Sequence, residues 1–154
     1  MGDVVIRHAT AADAPNVARL IQDFETEFDN PSPAADVLVA RVRELLTTGE
    51  MTVLLAGEGP DGFAQLRFRR SVLLGGWTAL LEELYVVPGL RGRGIGRALV
   101  EAAVDAAQRA GATSIEVGTS EDDTAAMALY ESAGFSNRED SPDGPVMYCY
   151  IREL

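Results

Sequence analysis

The chain has 154 residues and a formal net charge of −11, from 24 acidic and 13 basic side chains. This length suits one domain of about 100–150 residues, and a hydrophobic share of 47% is ordinary for a folded globular protein. A strongly acidic surface repels phosphate polymers, which argues against nucleic-acid binding and favours a cationic partner.

Scarce residue types remove further chemistries. Every basic residue is arginine, so there is no lysine for a Schiff base, for pyridoxal phosphate or for a Walker A loop. Cys149 is the single cysteine, which rules out an internal disulfide. Because the chain has only this cysteine and one histidine, we expect no metal site. No apolar run reaches the ~20 residues of a membrane span, and the sequence starts without a signal-peptide core. We therefore expect a cytoplasmic protein without a membrane partner.

The first third of the chain predicts a strand and two helices. The strand covers residues 3–7. Thr10, with Asp13 three residues later, forms a capping-box pattern that begins a helix of about 18 residues. A proline pair then breaks the helical pattern, and Pro33 is predicted at the first position of a second helix, which Gly49 ends.

The rest of the chain predicts strands first and alternating helices and strands later. Gly75-Gly76 matches a two-residue hairpin turn. Residues 141–144 read as a turn between two closing strands, the second of which would bury Cys149. This order predicts one α+β domain over residues 1–154, in which a mixed sheet is flanked by helices. The predicted elements are strands at 52–56, 63–74, 77–87 and 113–118, and helices at 95–110 and 123–133.

A glycine-rich stretch separates the strand at 77–87 from the helix after it. It reads Arg91-Gly92-Arg93-Gly94-Ile95-Gly96. Glycines at a helix start expose backbone N–H groups, and the helix dipole adds partial positive charge, which together suit a pyrophosphate group. The dinucleotide fingerprint fails here, because its third glycine would fall on Arg97 or Leu99. The alternative interpretation is a flexible turn without a ligand.

Two segments together resemble a known family. The pattern Leu84-x-Val86-x-Pro88-x-x-Arg91-Gly92-x-Gly94-Ile95-Gly96 resembles motif A of the GCN5-related N-acetyltransferases, the GNAT family. The pattern Asp123-x-x-Ala126-x-x-Leu129-Tyr130-x-x-x-Gly134-Phe135 resembles motif B, although family members often have Asn in place of Asp123. The order of strands and helices resembles the family as well, so the resemblance covers nearly the whole chain.

The resemblance implies acetyl-CoA as the cofactor and assigns residues to it. Val86 would offer its backbone N–H to the acetyl carbonyl and pair with the pantetheine amides. The cofactor-binding residues implied in this way are Leu84, Tyr85, Val86, Arg91, Gly92, Arg93, Gly94, Ile95, Gly96, Arg97, Asp123 and Ala126.

Two adjacent carboxylates precede the glycine-rich stretch. Strand alternation would send Glu82 and Glu83 to opposite faces. The segment resembles the matching strand of diamine and polyamine acetyltransferases. By that resemblance Glu82 is the base that removes the ammonium proton through water, and Glu83 holds a substrate ammonium. The alternative interpretation is that one of them is a solvated strand carboxylate.

The resemblance also gives Tyr130 a catalytic role. It occupies the family's proton-donor position, from which it would protonate the departing thiolate. The alternative is a packing tyrosine beside Phe135. An acidic run from Asp23 to Asp29 either forms a solvated helix face or helps to hold a cationic acceptor.

The sequence and the resemblance together predict an acetyl-CoA-dependent N-acetyltransferase. Its acceptor would be a small cationic amine, such as a polyamine or an aminoglycoside-like compound. Two alternatives stay open: acetylation of a protein N-terminus or lysine, and a CoA-binding module without turnover. The apolar run from Val146 to Ile151 suits either an internal strand or the interface of a homodimer.

Overall fold

A computed structural model describes residues 3–154 of the protein, which contain four α-helices and a five-stranded mixed sheet. The predicted α+β class is therefore confirmed. Met1 and Gly2, where the predicted domain begins, lie outside these residues. The chain divides into two compact units, one that extends to Val117 and one from Gly118 to Leu154.

The first unit contains the whole sheet and three of the helices. The strands lie in chain order across the sheet, antiparallel from the first to the fourth, and the fifth runs parallel to the fourth. The strands are β1 Ile6–His8, β2 Met51–Ala56, β3 Gly62–Arg70, β4 Trp77–Val86 and β5 Ala112–Val117. The helices are α1 Ala14–Glu27, α2 Ala35–Thr48 and α3 Ile95–Arg109.

The ends of α1 and α2 follow local sequence signals. Asp13 accepts a hydrogen bond of 2.8 Å from the Thr10 backbone N–H, as the predicted capping box requires, although a short 3₁₀ turn intervenes before α1. The guanidinium of Arg7 holds the same carboxylate at 2.7 Å, and these donors lower the pKa of Asp13 well below its ordinary value. Gly49 ends α2 with φ 76°, as predicted, but α2 begins at Ala35, so the predicted start at Pro33 is too early.

Each face of the sheet carries its own apolar layer. On one face α1 and α2 cover Val53, Leu55 and Phe63, all of which are at most 1% exposed. Their neighbours along the strands, such as Leu54 and Leu66, are equally buried and point to the other face, where α3 packs. The two layers hold β3 and β4 in the middle of the unit, where the site is built.

The β3–β4 connection differs from the predicted two-residue turn. The loop covers residues 71–76 and is closed by a hydrogen bond from Ser71 N–H to Gly76 O at 2.7 Å. Gly75 takes φ 72° within it, so the glycine pair turns the chain inside a longer loop. The prediction is wrong because β3 ends at Arg70. Three apolar residues that the sequence predicts in the strand, Val72, Leu73 and Leu74, lie exposed in the loop.

The second unit contains one helix, α4 Thr124–Ser132, close to its predicted bounds. The two predicted closing strands are absent from the described residues, and a single bridge pairs Arg138 with Val146. An apolar segment becomes a strand only where a neighbouring strand takes its hydrogen bonds. Cys149 is consequently exposed, and the prediction of a buried thiol is wrong. Among residues 3–154, no helix has the length and apolar character that crossing a membrane requires.

Candidate active site

The loop before α3 presents backbone rather than side chains. Gly92 and Gly94 take φ 77° and 85°, and a Cβ at either position would project into open space. The helix ladder starts with Ala98 N–H donating to Gly94 O at 3.0 Å, so the earlier N–H groups of α3, beginning with Ile95, precede it. The backbone N–H groups at this helix start and the positive end of the helix dipole fit a pyrophosphate group.

The arginines around this loop have different surroundings. The guanidinium of Arg91 pairs with Glu27 of α1 at 2.6 Å and donates to Val86 O at 2.9 Å, and it lies 5.5 Å from the centroid of the Tyr85 ring. Arg97 contacts Glu101 at 3.1 Å. Arg91 therefore connects the glycine-rich loop to α1 and to the end of β4, in addition to its positive charge.

The last five residues of β4 form an open edge. Pairing with β5 covers only the part of β4 from Trp77 to Leu81, and within the described residues the strand then continues with β3 alone. Val87 N–H donates to Asp61 O at 2.9 Å. Because antiparallel pairs alternate, the peptide groups of Leu84 and Val86 point away from β3, towards the open edge. This edge can pair with an amide-bearing ligand as an added strand would.

The two β4 carboxylates lie together because the strand bulges between them. The register pairs Gln65 with Glu83 and Leu66 with Leu81, so Glu82 is an extra residue in β4. The side-chain amide of Gln65 donates to Glu82 Oε2 at 2.7 Å. Since Gln65 lies opposite Glu83 in the register, both carboxylates reach the same side of the sheet. The expectation that they point to opposite faces is therefore wrong.

The environment of Glu83 favours its neutral form. Its side chain is half-buried, and it faces the carboxylates of Glu25 on α1 and Glu82 on β4. Burial, followed by the charges of Glu25 and Glu82, raises its pKa from 4.5 to about 7. A carboxyl group with such a pKa both gains and loses a proton near neutral pH.

The acidic run predicted from the sequence lies mostly on the second half of α1, and three of its carboxylates face the site. Glu25 acts on Glu83, while burial and the charges of Glu27 and Asp23 raise the pKa of the buried Tyr85. The last turn of α1 contains no basic residue. Carboxylates near the negative end of a helix dipole are unfavourable unless a cation is close.

Residues of motif B belong to the second unit. Asp123 is the N-cap of α4 and accepts a hydrogen bond of 3.0 Å from Ala126 N–H, a role that its carboxylate fills as well as an asparagine would. Tyr130 is half-buried on α4, and its ring centroid lies 5.9 Å from that of Phe135. The contact between the rings of Tyr130 and Phe135, which the sequence suggested as the alternative to a catalytic role, is thus present.

Gln65 is a site residue that the sequence analysis missed. It is the single buried polar side chain recorded in the described part of the chain, at 9% exposure. A glutamine within the apolar strand segment Phe63–Leu66 is a signal that could have identified it, because a buried amide needs a hydrogen-bond partner.

Comparison with known proteins points to one family. The chain matches the profile of the Acetyltransferase (GNAT) family over residues 16–135. It is 32% identical to the uncharacterized N-acetyltransferase YhfO of Bacillus subtilis (strain 168), over 94% of this chain and 95% of that protein. It is 31% identical to the aminoglycoside N(6')-acetyltransferase type 1 of Stenotrophomonas maltophilia, over 87% of each chain. A crystal structure assigned as an acetyltransferase from Arthrobacter sp. FB24 superposes with a TM-score of 0.90 at 44% identity, covering 97% of this chain and 96% of that one.

The raised pKa of Glu83 predicts how stability depends on pH. The fold favours the neutral carboxyl, so this contribution is complete below pH 4.5 and is lost as the pH rises through about 7. We expect the free energy of unfolding of the wild type to fall from about pH 5 to about pH 8 relative to that of Glu83→Gln, measured by urea denaturation.

Glu58→Gln is the control, because Glu58 is exposed in the turn between β2 and β3. Its stability should follow the wild type at every pH. A Glu83→Gln profile that stays parallel to the wild type would contradict the environment described for Glu83.

Proposed function

Because this chain belongs to the GNAT family of acetyltransferases, we propose that it transfers the acetyl group of acetyl-CoA to the primary amine of a small cationic acceptor. The observation that carries the proposal is the juxtaposition on β4. An open strand edge and a glycine-rich helix start follow directly after two carboxylates that face the acidic half of α1.

The chain offers backbone groups that fit acetyl-CoA, which supplies the acetyl group as a thioester. We propose that the outward peptide group of Leu84 and the N–H of Val86, whose carbonyl already accepts from Arg91, pair with the pantetheine amides. The buried Tyr85 between them supports this edge. The backbone of Gly92, Gly94, Ile95 and Gly96 would hold the pyrophosphate, with the positive charges of Arg91, Arg93 and Arg97 around it. The motif resemblance extends this set to Asp123 and Ala126.

Charge supports a cationic acceptor. The net charge is −11, and Asp23 and Glu25 lie near the negative end of α1, where Arg91 pairs with the neighbouring Glu27 and the last turn has no basic residue. A bound ammonium would relieve this repulsion. The relative from Stenotrophomonas maltophilia, which is named for its aminoglycoside acceptor, is consistent with the same class of compound.

The reaction requires two proton transfers that side chains of this chain can perform. An alkylammonium with a pKa near ~10 must lose a proton before its nitrogen can attack. We propose that a carboxylate of the Glu82–Glu83 pair takes this proton. Tyr130 would donate its phenolic proton to the leaving sulfur, since a phenol stays protonated at neutral pH.

A cytoplasmic location and a homodimer stay predictions.

Cofactor binding is tested by closing the proposed cradle. Glutamate at position 94 would place a carboxylate in the open space before α3 and against a bound pyrophosphate. We expect Gly94→Glu to abolish CoA binding in isothermal titration calorimetry.

Gly49→Glu is the matched control, because Gly49 also has a positive φ of 76° with open space around it. It therefore imposes the same kind of backbone strain. The two glycines belong to opposite ends of β3. Gly49 precedes the start of β2, which pairs near the end of β3 at Arg67, whereas Gly94 follows the end of β4, which pairs with the start of β3 at Gly62. Equal CoA affinity of folded Gly94→Glu and Gly49→Glu variants would reject the assignment.

The donor role of Tyr130 is tested by removing one hydroxyl group. Tyr130→Phe keeps the ring beside Phe135, so the fold and the affinity for CoA should be retained. We expect kcat to fall about 10²-fold, the low end for general acid catalysis. Tyr148→Phe is the control, since Tyr148 is an exposed tyrosine of the same unit. A wild-type kcat for Tyr130→Phe would leave Tyr130 with a packing role only.

A further inference from the structure

We propose that Glu83 is the group that takes the ammonium proton of the acceptor, that Glu82 binds the ammonium, and that Gln65 positions Glu82 for this task. The proposal rests on the proposed function and deepens it. It reverses the two roles that the family resemblance gives to these carboxylates.

The bulge in β4 makes a division of roles possible. In a regular strand adjacent side chains lie on opposite faces, and one carboxylate alone would face the acceptor. Glu82 is the extra residue opposite the Gln65–Leu66 step, which brings its carboxylate to the side where Glu83 lies. One ammonium can then contact both groups in sequence: first the carboxylate that binds it, then the one that deprotonates it.

Gln65 is suited to positioning Glu82. Its amide is buried, and it donates to Glu82 Oε2 at 2.7 Å. The buried amide cannot move without losing this partner, so Glu82 is held in one orientation while its side chain stays exposed. A carboxylate has acceptor capacity left on its second oxygen. That oxygen is available for an ammonium N–H.

Glu83 is suited to accepting the proton. It is half-buried, and the charged groups that act on it are Glu25 from α1 and Glu82 from β4, both of which are acidic. Its pKa of about 7 is matched to proton transfer at neutral pH. Each unit of pKa is a factor of ten in the equilibrium, so this base accepts the ammonium proton about 10²-fold more favourably than an ordinary carboxylate.

The step is a simple proton transfer. An N–H bond of the ammonium breaks, an O–H bond forms on the carboxylate of Glu83, and the electron pair stays on the nitrogen. Glu83 later releases the proton to solvent. The carboxylate oxygen of Glu82 still accepts a hydrogen bond from the amine N–H once the nitrogen is neutral, which holds the acceptor in place.

Kinetics separate the two roles. We would measure kcat and KM for the best amine acceptor at saturating acetyl-CoA from about pH 5.5 to about pH 9. Wild-type kcat/KM should rise with pH up to about 7. Glu83→Gln should lose this limb and about 10²-fold in kcat, with KM nearly unchanged. Glu82→Gln should raise KM about tenfold and keep the limb, displaced to lower pH because one like charge is gone.

Two variants test the supporting groups. Gln65→Met removes the amide donor at similar length, and it should raise the acceptor KM as Glu82→Gln does while kcat is kept. Glu25→Gln should move the limb to lower pH. Glu58→Gln, which removes an exposed carboxylate of the β2–β3 turn, should match the wild type in all parameters. A merely structural role of Gln65 would lower the yield of active enzyme without changing KM.

A readout that needs no turnover completes the test. In ¹³C NMR of labelled glutamate carboxyls, one signal should titrate near 7, and it should disappear in Glu83→Gln but persist in Glu82→Gln. A limb that survives Glu83→Gln and is lost in Glu82→Gln would overturn the proposal. If no amine is acetylated, the proposed function fails, and the titration still decides: a Glu83 signal near 4.5 overturns the assignment, and one near 7 supports it.

Discussion

Strand β4 changes its pairing at Leu81, and the candidate site depends on that change. Up to this residue β4 is bound on both sides, by β3 and by β5. Beyond it, Glu82 enters β4 as an extra residue. Among the described residues, β4 then pairs with β3 alone. The bulge brings two carboxylates to one side of the sheet, and beyond the pairing with β5 the peptide groups of Leu84 and Val86 point away from β3. The bulge against β3 and the end of the pairing with β5 thus place candidate proton-transfer groups and a binding edge within five residues of β4.

The charges around this edge favour ligand binding more than local stability. The second half of α1 places Asp23, Glu25 and Glu27 near the negative end of its own dipole, and Glu25 faces another carboxyl group, Glu83. Sequences usually avoid such an arrangement, and departures of this kind are expected at functional sites. The ion pair of Arg91 with Glu27 offsets part of the repulsion and joins α1 to the loop before α3. Acetyl-CoA and acceptor would therefore bind to elements that one arginine connects.

Local signals predicted most elements, and pairings distant in sequence escaped them. Gly49 and the glycine-rich start of α3 depend on a few adjacent residues, so their effect on the chain could be predicted directly. The hydrogen bond between Gln65 and Glu82 joins residues 17 apart, and the pair of Glu27 and Arg91 joins residues 64 apart. No periodicity specifies either contact, and a bulge shifts the alternation on which facing predictions rely. For that reason the sequence predicted Glu82 and Glu83 as candidate residues, while their facing, their partners and the contribution of Gln65 needed the structure.

The central claim is that this protein acetylates a cationic amine with acetyl-CoA, and thiol release across a panel of amines tests it most directly. The panel would contain polyamines, aminoglycosides, neutral amines and amino acids with a net negative charge, each at low and at high salt. The account predicts thiol release that depends on the amine and is fastest for compounds with several positive charges. The acceptor KM should rise with salt, because salt screens the charges of the acidic site. Thiol release that favours neutral or anionic amines, or that is absent with every amine, would contradict it.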